Sequence, residues 1–153
     1  MSYLPPPPPP ADGFNPTGSP LAPRPVTFGE AISRFYANYA NFKGRASRSE
    51  YWFISLYSAV VQIPLYFVAL STGTTDPYTG VAQPNTMFIT LMYLFSLINL
   101  VPGLAVGVRR LHDTSKSGAM LLIALIPCVG AIVLLVFFAT AGDTNENQYG
   151  PAS

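Results

Sequence analysis

Three stretches of this chain, residues 51–70, 86–108 and 119–141, contain no charged side chain and are almost wholly apolar. A helix rises about 1.5 Å per residue, so about 20 such residues match a hydrocarbon core roughly 30 Å thick. A soluble domain would disperse its apolar residues at helix or strand period and carry roughly 25% charged residues. Here 50% of the 153 residues are hydrophobic and 10% are charged, and the apolar ones fall in blocks. The expected fold is therefore an all-α integral membrane protein with three transmembrane helices, preceded by an interfacial amphipathic helix and a disordered proline-rich tail.

The segments between the blocks have distinct characters. Residues 1–26 hold an unbroken run from Pro5 to Pro10 and then Pro16, Pro20, Pro23 and Pro25, which predicts an extended, solvated tether with polyproline II character. A module of the SH3 or WW kind is one conceivable reader of it. This segment lacks the basic start and apolar core of a secretory signal, so it is expected to stay on the mature protein. Over residues 27–42, Phe28, Ile32, Phe35, Tyr36, Tyr39 and Phe42 recur at helical spacing between polar residues, predicting an amphipathic helix. Thr27 and Glu30 have the spacing of a capping box. Its aromatic face, leading directly into an apolar block, places the helix in the headgroup region; a helix packed only against protein is the alternative. Ser47 and Glu50 repeat the capping spacing and start a second helix near Arg48, with Tyr51 and Trp52 as interfacial anchors. Residues 71–85 are rich in turn formers and carry no basic residue, and residues 142–153 form a polar, acidic tail.

Lysine and arginine are retained on the cytoplasmic side of inner-membrane proteins. With three crossings, all eight basic residues (Arg24, Arg34, Lys43, Arg45, Arg48, Arg109, Arg110 and Lys116) fall on one side. The other side holds only Asp76, Asp143 and Glu146. The amino terminus and the loop at 109–118 are therefore expected in the cytoplasm and the carboxyl terminus outside it, and an even number of crossings is read as spoiling this segregation.

Three separated pieces carry a family resemblance. They are Gly44-Arg45-Ala46-Ser47-Arg48-Ser49-Glu50-Tyr51-Trp52, then Arg109-Arg110-Leu111-His112-Asp113-Thr114 with Ser117-Gly118, then Asn147-Gln148-Tyr149-Gly150-Pro151. In this order around three apolar blocks, they resemble the bacterial inner-membrane family labelled domain of unknown function 805, over roughly residues 35–151. The chain departs from the family's habit at Ala119, where an aromatic residue often follows Ser-Gly, and at Gly142-Asp143-Thr144-Asn145, where Gly-Thr-x-Gly is common. The resemblance implies a small bacterial inner-membrane protein without an established activity.

Chemistry is confined to one face. In antiparallel spans, Arg45, Arg48 and Glu50 lie at the depth of Arg109, Arg110, His112 and Asp113, the cations favoured by the negative end of the second span's dipole. One reading is an anion site, in which Arg45, Arg48, Arg109, Arg110 and His112 hold a lipid phosphate through guanidinium forks. Another is a clamp in which Glu50 and Asp113 pair with the arginines and fix the hairpin. An enzyme acting on lipid headgroups would use His112 as general base oriented by Asp113, but adjacent helical residues point about 100° apart. A transporter would place ionisable groups inside the spans; none is there, and Gln62 and Asn99 read as interhelical hydrogen-bonding residues. Cys128 is the single cysteine and reads as a small buried hydrophobe, so no metal site and no cofactor are expected. No nucleic-acid partner is expected either, since there is no dense basic patch on a soluble module. The candidate partners are the bilayer, anionic headgroups, a second copy of the chain or another membrane protein. Pro64, Pro102 and Pro127 are expected to bend the spans, and Gly103, Gly107 and Gly130 to permit close packing.

Overall fold

The computed structural model describes residues 26–153, so the proline-rich tail, apart from Val26, lies outside the described residues. Over that range the chain is mostly helical, with two long apolar helices and a shorter one, the architecture of an all-α membrane protein. Helix α1 spans Phe28–Ala37. Thr27 and Glu30 cap it reciprocally: the Thr27 amide donates to Glu30 Oε2 at 2.9 Å, and the Glu30 amide donates to Thr27 Oγ1 at 3.3 Å. It ends before residue 42 because Asn38 turns its side-chain amide back onto the Arg34 carbonyl at 2.9 Å. Its inner face buries Ala31 and Phe35 against Ala46, Ile54 and Val106.

Helix α2 spans Arg48–Ser71 and α3 spans Thr86–His112. They run antiparallel, since Ala69 meets Asn85 at one end while Glu50 meets Arg109 at the other. Their connection is a miniature hairpin of β1 (Thr74–Thr75) and β2 (Ala82–Gln83). Asp76 Oδ1 closes it by accepting from the amides of Tyr78 at 2.8 Å and Thr79 at 2.9 Å. Those two donors hold the Asp76 carboxyl below its ordinary range.

Pro102 lies inside α3. Having no N–H, it leaves the carbonyl four residues earlier, that of Ile98, without its helical donor. The Tyr39 hydroxyl fills that position at 2.6 Å, and beside it the Tyr36 hydroxyl donates to Asn99 Oδ1 at 2.9 Å. Tyr39, just beyond the end of α1, thus repairs a defect that proline creates in α3.

The third apolar block is not one helix. Residues Gly118–Leu125 form a 3-10 helix, the chain reverses at Pro127 and Cys128, and α4 returns over Val129–Ala139. The reversal is a γ-turn in which the Val129 amide donates to the Pro127 carbonyl at 2.7 Å, with Cys128 held at φ +62° and ψ −57°. This turn is rare and strained. The legs touch so closely at the turn that a Cβ on Gly130 would sit 1.9 Å from the Ile123 carbonyl oxygen. At their other ends both legs reach the same place: a Cβ on Gly107 would meet Leu121 at 3.6 Å and Phe138 at 3.9 Å.

The expectation of one continuous helix over residues 119–141 is therefore corrected: two legs joined by a turn occupy that stretch. Proline at the turn and glycine just after it let the block double back, and its end packs beside its beginning. Cys128 is corrected as well, since it is exposed at the turn. Gly107 and Gly130 permit close approach, whereas a Cβ on Gly103 would meet nothing within 4 Å.

Candidate functional site

Because both helix ends and both ends of the doubled-back segment converge, the polar residues of four chain segments meet in one layer. Asp113 caps α3 and is buried, as is Arg110. Its Oδ1 accepts from Arg45 Nε at 2.8 Å and from Ser153 Oγ at 2.8 Å, while Oδ2 accepts from Arg110 Nη1. Arg110 then turns to the end of α4, donating from Nε to the Phe138 carbonyl at 3.2 Å and from Nη2 to the Thr140 carbonyl. The last carbonyls of a helix have no intrahelical donor, and a cation there also meets the negative end of the helix dipole. Arg110 thus satisfies the end of the returning leg.

Arg45 performs the same service for the tail. Its guanidinium donates to the carbonyls of Asn145 at 2.8 Å, Gly150 at 3.3 Å and Asp143. The tail is folded for this purpose: the amides of Asn147 and Gly150 exchange hydrogen bonds with each other's carbonyls, and Gly150 has φ +127°, a conformation glycine adopts without penalty. Asn147 Nδ2 donates to the His112 carbonyl at 2.9 Å. The Tyr149 ring stacks on the His112 imidazole at 3.7 Å and 3°. Asp143, bonded by the Ser115 hydroxyl and the Asn147 amide, is held below the ordinary carboxylate range by those two donors.

A second, smaller network lies under α1. Glu50 Oε1 pairs with Arg109 Nη1 at 3.2 Å and Oε2 faces Arg34 Nη1 at 3.9 Å. The carboxylate and Arg109 are buried, and Arg34 is half exposed. Arg109 Nε and Nη2 have no hydrogen-bond partner among the described residues.

The candidate residues named from sequence thus divide. Arg45, Arg110 and Asp113 form one network and Arg109 and Glu50 another. Arg48 alone is exposed, with one long bond of 3.4 Å to the Ala139 carbonyl, beside a cleft of about 200 Å³ that Ser47, Thr144 and Ser153 also line. His112 and Asp113 do not face each other: His112 Nδ1 lies 3.1 Å from the Gly44 carbonyl, and the Asp113 carboxylate is taken by arginines. Among the described residues no group of three His, Cys, Asp or Glu side chains is placed to hold a metal. Sequence reasoning missed Asp143, Asn147, Tyr149, Gly150 and Ser153 as members of the site. The signal was the Asn-Gln-Tyr-Gly-Pro motif, read as a family mark without a partner.

A network built from all three motif regions belongs to a particular kind of small membrane protein. Residues 39–151 match the family described as "Protein of unknown function (DUF805)", and the chain belongs to it. "Inner membrane protein YhaI" of Escherichia coli (strain K12) is 41% identical over 113 residues, covering 74% of this chain and 86% of that protein. "Inner membrane protein YhaH" of the same strain is 35% identical over 114 residues, covering 74% and 88%. No solved structure matches the chain.

Proposed function

We propose that this is a non-enzymatic inner-membrane protein in which α2 and α3 cross the bilayer, the doubled-back segment enters the cytoplasmic leaflet and leaves on the same side, and the basic face engages anionic lipid headgroups. Eight residues of 3-10 helix and 11 of α-helix give legs of roughly 16 Å each, about half of a hydrocarbon core. The observation that carries this reading is the capture of the tail by Arg45 and of the α4 end by Arg110, which ties residues 138–153 to the side where the basic residues lie. Both termini are then cytoplasmic. The charge rule accommodates this, because no lysine or arginine follows Lys116.

In this reading Arg45, Arg109, Arg110, Glu50 and Asp113 are internal clamps, and headgroups are met by the exposed Arg48, Arg34 and Lys43. Single cysteines at Thr79, Ser115 and Ser153, in a Cys128→Ser background, test the topology with an impermeant maleimide on intact cells. Labelling at 79 alone is expected; labelling of Ser153→Cys from outside refutes the doubled-back arrangement. Lipid binding is tested separately by native mass spectrometry with phosphatidylglycerol. Arg48→Ala combined with Arg34→Ala should reduce the retained anionic lipid while the fold persists, and unchanged retention rejects the headgroup role.

A further inference from the structure

Resting on the two-crossing reading, we propose that a second copy of the chain packs against the cleft between the outer halves of α2 and α3. The cleft has about 220 Å³ and is lined by Gln62, Tyr66, Ile89, Met92, Tyr93 and Ser96. Gln62 and Ser96 each lie 14 residues along their helices from the arginine layer at Arg48 and Arg110, a depth of roughly 21 Å. That places them near the middle of the hydrocarbon.

The side chains there are incompletely paired. Ser96 Oγ donates to Gln62 Oε1 at 3.3 Å, which leaves the Gln62 amide protons without an acceptor. The hydroxyls of Tyr66 and Tyr93 have no hydrogen-bond partner among the described residues, and Tyr93 is 72% exposed. At the depth of Gln62 no water is available and acyl chains carry neither donors nor acceptors, so its amide protons need a protein partner, whereas Tyr66 and Tyr93 lie roughly 26 Å from the arginine layer, toward the opposite headgroups. Interhelical hydrogen bonds from such polar side chains are one of the means by which membrane helices associate.

The patch selects its occupant. Its amide and three hydroxyls each both donate and accept, and none is charged, so the surface complements itself across a two-fold axis. A partner recognised by charge would find nothing here. The fold also leaves room, because the doubled-back segment packs only on the inner halves of α2 and α3. Beyond it these are two helices alone, and two such pairs complete a four-helix arrangement.

The test uses the full chain in native membranes in a Cys128→Ser background, with disulfide formation catalysed by copper phenanthroline. Tyr93→Cys lies on the proposed interface. Leu91→Cys lies at nearly the same depth, 200° around the helix, and is also exposed. The expected result is several-fold more disulfide-linked dimer at 93 than at 91. Gln62→Leu should weaken dimerisation about fivefold by single-molecule photobleaching in liposomes, the size of effect one intramembrane hydrogen bond produces. Equal yields at 91 and 93, cross-linking only to a different protein, or a monomer retaining a small lipophilic molecule would each overturn the proposal. Failure of the two-crossing topology is read independently, from maleimide labelling at Ser115 and Ser153.

Discussion

The two ends of the helix pair differ more in how they are packed than in what they are made of. Along α3 every buried residue lies between Pro102 and Leu111, and none lies from Thr86 to Val101, although the whole helix is apolar until its last turn. At the arginine end, α1, both legs of the doubled-back segment and the tail surround α2 and α3. At the opposite end the two helices have only each other and a miniature hairpin. The charged end is the buried one, because buried arginines are tolerable when carboxylates and helix-end carbonyls meet their donors, and here the chain supplies both. Hydropathy marks what enters lipid; it does not mark where the molecule is closely packed.

Removing the shared counter-charge should break this contrast most strongly. Asp113→Asn leaves Arg45 and Arg110 buried without their carboxylate, and breaking such a pair costs about 3–5 kcal/mol. Denaturant unfolding in micelles, followed by the single Trp52, should show that loss, whereas Asp76→Asn in the exposed hairpin should shift the curve far less. Equal effects would mean that the two ends are not energetically distinct.

Gly130→Ala is the next largest. With its Cβ 1.9 Å from the Ile123 carbonyl oxygen, the legs must separate, at about 1–3 kcal/mol. Gly103→Ala, with nothing within 4 Å, should be neutral or slightly stabilising in the same assay, since alanine is the better helix former.

Smaller again is Tyr39→Phe, which deprives the Ile98 carbonyl of its donor and should cost about 0.5–1.5 kcal/mol. If Pro102 is the reason that carbonyl is free, a Pro102→Ala background should shrink the effect, and a double-mutant cycle reads the difference.

The smallest effect is expected from acid. The folded-state pKa of Asp143 lies below its ordinary value because Ser115 and Asn147 donate to it, so its contribution is present above the unfolded pKa of about 3.9 and is lost as pH falls through the folded value. Fluorescence from a probe on Ser153→Cys should therefore report loosening of the tail at low pH. Asp143→Asn should leave the tail's environment independent of pH over that window.

Much of this was legible in the residues. Lipid as solvent follows from uncharged blocks, because an ionised side chain in hydrocarbon is costly. The start of α1 follows from Thr27 and Glu30, whose side chains reach only the backbone three residues away. The convergence of Arg45 with Arg109, Arg110 and Asp113 follows from two antiparallel helices of similar length. The direction of the third block was not legible, since 23 apolar residues dissolve in lipid whether they run straight or fold in half. Counting charges could not help, because the tail after Lys116 has no basic residue to be retained.

What the sequence determined by itself was therefore local or additive: which residues leave water, where helices begin, and where cations accumulate. The tertiary structure decided where the tail packs and which arginines remain exposed. Those outcomes depend on contacts between distant residues, Arg110 with the end of α4 and Arg45 with the tail carbonyls. Such directional bonds exist only after the chain has folded back, and no periodicity along it encodes them.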